Sequence, residues 1–308
     1  MGQVLVIGSA NIDVSVTTDT LPRPGETVHG TGSLISVGGK GANQAAAAAA
    51  IAPTAFAGCV GNDAFGRMVR EELLSRGLDL TALRSVAGVP TGLATIAVDA
   101  AAQNCIVVVP GANGSLLPED IDALRPQIAA AAVLVLQCES PLPSVRRAIE
   151  IAQAAGTPVI LNPAPCHGLT LADLPRGISY LVPNESEAAE LTGLPVGSVA
   201  EAMLAAAALR DAGLLCAIIT LGAQGCVVAD HDGVRHLAAH AVAAIDTTGA
   251  GDAFVGCLAA SLAAGFARDV AVRRALVHAS LSTTRRGAMV SYPSAQECAA
   301  AWSGLKSG

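Results

Sequence analysis

Chemistry is most concentrated in the stretch 246-DTTGAGDAF-254. Gly249, Ala250 and Gly251 come just before an apolar run that reads as a helix. A glycine-rich turn at a helix start suits an anion, because free backbone N–H groups and the positive end of the helix dipole converge there. Asp252 puts a carboxylate in that same mouth. It is either a helix cap, which stabilises by ~0.3–1 kcal/mol, or part of a reacting centre. A second glycine-rich loop, 38-GGKGANQ-44, allows close backbone approach at Gly38, Gly39 and Gly41 and places Asn43 in the first turn of an Ala-rich helix. Lys40 is followed by Gly, so this is not a Walker A loop. The last Gly of G-x-G-x-x-G is also missing, so both standard nucleotide fingerprints fail.

Further polar candidates fall at the ends of predicted strands. Asn11 and Asp13 follow VLVIG, Glu139 follows VLVLQ, and Asn162 ends PVILN. Asn184 and Glu187 follow SYLVP, Gly222 and Gly225 follow CAIIT, and Asp246 is expected after a last strand. Each alone is a plausible turn former or cap. Their recurrence at one edge matters, because ligands of open α/β sheets bind beyond the carboxyl ends of the strands.

The elements that must carry these residues alternate. Strands of four to eight apolar residues are separated by helices such as NQAAAAAAIA, AFGRMVREELLSRG, LPSVRRAIEIAQAAG and VAEAMLAAAALRDAG. That pattern predicts a doubly wound, mostly parallel sheet flanked by helices, a single α/β domain over 1–308. A hairpin follows CAIIT, and two or three helices close the chain. Residues 14–37 and 91–109 break the rhythm with β-branched residues and alternation. They read as a small inserted β-sheet, a discontinuous lid whose outer face could also join two copies into a homodimer.

Composition excludes several classes. The chain is 52% hydrophobic and 14% charged with net charge −7, and it has no basic run, so nucleic acid is not an expected partner. No apolar stretch is long enough for a bilayer and no leader is expected, which points to the cytoplasm. Eight scattered cysteines without a C-x-x-C read as free thiols in a reducing compartment. His231, His236 and His240 lie in a strand-and-turn segment and read as surface residues, not as metal ligands.

Together, 38-GGKGANQA-45 and 246-DTTGAGDAF-254 resemble the paired end motifs of the ribokinase-like (PfkB-type) carbohydrate kinases. PGETV at 24–28, the QxESP run at 137–141, LNPAP at 161–165, PNExE at 183–187, ITLGxxG at 219–225 and RRGA at 285–288 extend the similarity over essentially the whole chain and point to the ribokinases within the family. The resemblance implies that Asn11, Asp13, Gly39, Lys40, Asn43 and Glu139 contact a sugar. It implies that Asn184 and Glu187 organise phosphate and Mg²⁺, and that Thr220, Gly222 and Gly225 form the nucleotide loop. Asp252 matches the catalytic base, beside the 249–251 anion hole. Asp246, Thr248, Ser282, Arg285, Gly287 and Ser291 match a loop for a monovalent cation, K⁺. Leu276 stands where the family often has Asn or His against the adenine, and His278 is expected on another face of that helix.

Phosphoryl transfer accounts for both halves of the end motif. Backbone donors stabilise charge on the transferring oxygens, while a carboxylate accepts the proton of the attacking hydroxyl. The implied reaction is ATP-dependent phosphorylation of D-ribose at O5. A kinase for another small sugar or nucleoside, and a sugar- or nucleotide-binding regulator without catalysis, are the alternatives.

Overall fold

The computed structural model describes residues 2–101, 103–166 and 168–303. Its strands are β1 (Val4–Ile7), β2 (Asn11–Thr18), β3 (Gly30–Gly38), β4 (Thr54–Gly61), β5 (Leu83–Val86), β6 (Gly92–Val98), β7 (Asn104–Val109), β8 (Val133–Gln137), β9 (Val159–Asn162), β10 (Tyr180–Leu181), β11 (Ala217–Thr220), β12 (Cys226–Asp230) and β13 (Gly233–Leu237). Its α-helices are α1 (Lys40–Ala49), α2 (Ala64–Ser75), α3 (Pro118–Ala123), α4 (Arg125–Ala130), α5 (Leu142–Ala155), α6 (Glu185–Thr192), α7 (Val199–Asp211), α8 (Ala250–Ala263), α9 (Arg268–Ser282) and α10 (Ala295–Ser303).

A nine-stranded sheet runs in the order β13-β12-β11-β10-β9-β8-β1-β4-β5. It is parallel from β11 to β5, and the β11–β12 and β12–β13 pairs are antiparallel. The continuous apolar strands split their side chains by the two-residue period of the pleat. Val4 and Val6 join a core with α1, α8 and α9, while Leu5 and Ile7 join the opposite core with α5 and α7. Val133 and Val135 against Leu134 and Leu136 repeat the division on β8. This is the α/β architecture that the alternation predicts.

A separate four-stranded sheet has the order β3-β2-β6-β7. Its β2–β3 and β6–β7 pairs are antiparallel, and β2–β6 is parallel. The strands begin closer to the main body than the alternation suggested. Asn11 pairs with Gly38 and with Gly92, so Asn11 and Asp13 sit on the root of β2, not in a loop after β1. Among the described residues no helix is long and apolar enough to cross a membrane.

Two local expectations change. Residues 238–244 form no strand before Asp246. The amides of Ile245 and Asp246 donate instead to the Thr283 carbonyl at the end of α9, at 2.7 and 3.1 Å. The short β5, α3 and α4 were not anticipated, because segments of four to six residues carry too little periodicity to read.

The site depends on how closely α1 and α8 approach. A Cβ on Gly256 would lie 2.4 Å from the Gln44 carbonyl oxygen and 2.6 Å from Ala47 Cβ. Gly→Ala in a helix normally stabilises by about 0.5–1 kcal/mol. At this crossing the sign reverses: Gly256→Ala is expected to destabilise by about 1–3 kcal/mol through overpacking, measured by urea denaturation.

Candidate active site

The turn before α8 is built by its sequence. Gly249 is left-handed at φ 75°, and a Cβ there would meet Ala288 Cβ at 2.8 Å and Tyr292 Oη at 2.9 Å. The Tyr292 hydroxyl donates to the Gly249 carbonyl at 3.3 Å. The Ala250 amide is turned onto the Thr247 carbonyl at 3.2 Å, and Ala253 N–H closes the first helical bond to Gly249. One of the three expected anion-hole amides is therefore engaged within the turn. Gly251 and Asp252 follow in the first helical turn, where amides lack intrahelical acceptors. Gly251 is exposed and a Cβ there would touch nothing within 4 Å. The fold thus gives no packing reason for glycine at 251, whereas close approach of a ligand does.

Asp252 is buried in the first turn of α8. Its Oδ2 accepts from Asn43 Nδ2 at 3.0 Å, and its Oδ1 accepts from Gln44 Nε2 at 2.9 Å. Burial raises its pKa, while Lys40 and the two amides oppose the rise. Burial works against the Lys40 ammonium too, but Asp252, Glu139 and Glu187 outweigh it and hold its pKa above the usual lysine value. Glu139 accepts from Ser9 Oγ at 2.5 Å and from the Lys40 amide at 3.0 Å. Burial, then Glu139 and Asp252, push the Asp13 carboxyl up to about 6. Gly38 is required here, because a Cβ would fall 2.0 Å from Asp13 Oδ2. Gly39, at φ 88°, backs onto Ala10 and Asn11.

Two cavities meet at the turn. The smaller, about 210 Å³, takes in Lys40, Asn162, Asn184, Glu187 and Asp252. The larger, about 310 Å³, is walled by Gly222, Gly225, Phe254 and Leu276. Thr220, Thr247, Ala250 and Gly251 border both. His278 faces away from them, buried with its Nδ1 3.1 Å from Cys298 Sγ.

Asn184 and Glu187 also have a plain structural task. Asn184 Oδ1 accepts from Glu187 N–H, and Glu187 Oε2 accepts from Asn184 N–H, both at 2.9 Å, which makes a reciprocal cap for α6. Burial nevertheless holds the Glu187 pKa above its ordinary value, against the Asn184 bond and Lys40. Gly225 has a backbone reason as well: it is left-handed, and its Cβ would strike the Leu237 carbonyl.

Asp246 ties the two candidate cation segments together. Its Oδ1 accepts from Thr248 N–H and Oγ1 at 2.9 and 2.6 Å, and its Oδ2 accepts from Gly287 N–H at 2.8 Å. Burial opposes its charge, yet these bonds keep its pKa below the usual carboxylate range. The hydroxyls of Ser282 and Ser291 donate back to Ala279 and Ala288, and Arg285 pairs with Glu297. Those three side chains are thus engaged elsewhere. His231, His236 and His240 are exposed, and Asp230 beside His231 is held by Arg235 and Arg268.

Sequence reasoning missed Gln44 and Asn113. Asn113 is buried, and its Nδ2 donates to Asn11 Oδ1 at 2.7 Å. Nothing in its spacing marks it, since it lies 102 residues away. Gln44 was visible only as the residue after Asn43.

A doubly wound sheet with a glycine turn between two cavities and a carboxylate inside it is the outline of a phosphotransferase. Residues 1–295 match the model of the pfkB family carbohydrate kinases. The chain is 39% identical to a ribokinase of Haemophilus influenzae over 95% of both chains, and 37% identical to a deoxyribokinase of Salmonella typhi over 96% of both. It superposes on Arabidopsis thaliana ribokinase complexed with ribose and ATP with a TM-score of 0.89 and 31% identity, covering 98% of both chains. The protein belongs to the pfkB family of carbohydrate kinases.

Asp13 offers a direct check of the site's electrostatics. Its folded pKa of about 6 lies above the ordinary carboxyl value of 3.8, so its contribution to stability is full below the lower value and is lost as pH rises through the upper one. Asp13→Asn is therefore expected to raise Tm at pH 8, and the gain should vanish near pH 4. Thermal melts across that range check it, and a gain independent of pH would contradict the assignment.

Proposed function

We propose that the protein phosphorylates D-ribose at O5 with ATP. The observation that carries this is the turn at 249–251: it lies between the two cavities and leaves Gly251 open, with the Asp252 carboxylate facing the smaller one. In this reading the larger, apolar cavity takes the nucleotide through Thr220, Gly222, Gly225 and Leu276. Lys40 and the amides of Gly249, Gly251 and Asp252 face the transferring phosphoryl group, with Ala250 shaping their turn. Asn11, Asp13, Gly39, Lys40, Asn43 and Glu139 hold the sugar. Asn113 occupies Asn11 Oδ1, which leaves the Asn11 amide as a donor to a hydroxyl and Asp13 as its acceptor. That pair supports a sugar with a 2-hydroxyl.

Asp252 accepts the proton of the O5 hydroxyl as that oxygen bonds to the γ-phosphorus. The bond from the γ-phosphorus to the β–γ bridging oxygen breaks and ADP departs. The cluster suits a divalent cation, because three carboxylates, Glu139, Glu187 and Asp252, act on the single ammonium of Lys40. Glu187, with Asn184, would hold Mg²⁺, which supplies charge neutralisation for the phosphates. Backbone carbonyls at 246–248 and 282–291, with Asp246, Thr248, Ser282, Arg285, Gly287 and Ser291 shaping the loops, would hold K⁺ behind the turn.

The second sheet acts as a lid over the sugar in this proposal, within a single α/β kinase domain spanning 1–308. Its strand β7 is exposed throughout, and Leu34, Ile35, Ile106, Val107 and Val108 are each about half exposed or more. That apolar area supports a homodimer formed through the lid. Seven of the eight free cysteines are buried, which suits a reducing cytoplasm. A deoxy-sugar kinase is the second reading, favoured by the 37% identity to a deoxyribokinase.

An ATP-consumption assay over ribose, deoxyribose, hexoses and nucleosides, with Mg²⁺ and either K⁺ or a large organic cation, is expected to rank ribose first and to need K⁺. Turnover of another acceptor without ribose turnover reverses the substrate assignment, and indifference to K⁺ removes the cation loop. Asp252→Asn is expected to bind ribose but to lose roughly 10²–10⁴-fold in kcat; an unchanged kcat refutes its role as base. Solution X-ray scattering should give a dimer mass, and a monomer at high concentration would exclude the lid interface.

A further inference from the structure

We infer that Gln44 is the positioning residue of the reaction: its side-chain amide fixes and orients the Asp252 carboxylate while touching no substrate itself. The inference rests on the reading of Asp252 as the base.

Gln44 is completely buried, and its hydrogen-bonding groups are used inside the protein. Its Nε2 donates to Asp252 Oδ1 at 2.9 Å and to Asn162 Oδ1 at 3.1 Å. Its Oε1 accepts from Gln137 Nε2 at 2.7 Å. Both N–H bonds are spent, so it has no donor left for a ligand. Its orientation is fixed too, since a flipped amide would turn its oxygen onto a carboxylate. Gln137 ends β8, Asn162 ends β9, and Asn162 Nδ2 donates to the Val182 carbonyl at 2.8 Å. The base on α8 is thus anchored, through one amide on α1, to two strand ends of the main sheet.

Its neighbour behaves differently. Asn43 donates to Asp252 Oδ2, but its Oδ1 is buried without a hydrogen-bond partner among the described residues. A free acceptor beside the base suits a substrate hydroxyl. Asn43 and Gln44 thus divide the labour: one holds a carboxylate oxygen and keeps a hand for ligand, the other holds the second oxygen only. Two amide donors stabilise the charged carboxylate against its burial. The ionisable groups facing Asp252 from the elements around it are Lys40 on α1, Glu139 after β8, Asp13 on β2, Glu187 on α6 and Tyr292 after α9. Gln44 and Asn43 are the neutral donors beside them.

The test is the pH profile of Gln44→Glu, with KM for ribose and ATP measured alongside. This isosteric change sets a second carboxyl against Asp252, and the pair then titrates as a unit. The acid limb of kcat is expected to move up by about one pH unit or more, with kcat lost at neutral pH and recovered at higher pH. Both KM values should stay within about twofold, because uniform binding is untouched. An unmoved acid limb with unchanged kcat overturns the inference, as does a rise in KM that accounts for the whole loss. Gln137→Met keeps the test decisive should Gln44→Glu fail to fold. By releasing the outer end of the Gln44 amide it is expected to lower kcat severalfold at unchanged KM, and parental kcat in that folded variant overturns the inference. Asp252→Asn separates the two ideas. If that variant keeps its turnover, the base assignment falls first; if it is dead while the Gln44 and Gln137 variants behave as parent, only the positioning role falls.

Discussion

One constraint organises the centre of this molecule: a carboxylate is buried inside protein in the first turn of a helix, beside a glycine turn. Burial alone drives Asp252 towards its neutral form. The protein answers with Lys40 and with two amides from consecutive residues of α1. Those donors reach α8 only because α1 is nearly all alanine on its buried face and Gly256 lets the two helices close up. The close contact of α1 with α8 is thus the physical precondition of those two hydrogen bonds.

The same logic explains the glycines. Gly38 makes room for the Asp13 carboxylate, Gly39 and Gly249 adopt left-handed backbone, and Gly225 avoids a carbonyl. Gly251 differs from all of these, because its missing side chain faces open space. A helix keeps such a residue at a cost of roughly 1 kcal/mol relative to Ala, which makes sense when something outside the protein needs to come near.

Much of the frame was readable in advance, for a definite reason. The strands of the main sheet are covered on both faces and the helices are long, so the switch between continuous apolar runs and 3.6-residue periodicity is strong. Short or edge elements were not readable: β5 shows no period, and the segment before Asp246 is held by the Thr283 carbonyl and forms no strand. Among site residues, those in glycine-rich motifs announced themselves. Asn113 and Gln44 did not, because each matters through one amide aimed at a residue far along the chain.

By itself the sequence determined the alternating α/β layout, the absence of nucleotide fingerprints of the Walker or dinucleotide kind, and the family membership carried by its two end motifs. These properties are local: they depend on spacing, turn chemistry and hydrophobic period within windows of a dozen or so residues. Only the tertiary structure decided that Asn184 and Glu187 cap a helix while facing a cavity, that Ser282 and Ser291 turn their hydroxyls inward, and that an α1 amide holds the α8 carboxylate. The last of these depends on groups that meet across more than 200 residues of chain, whereas the cap and the hydroxyl bonds are local and only their place beside the site is not. Side-chain direction at such a meeting is set by packing of whole elements, and no short window of residues records it.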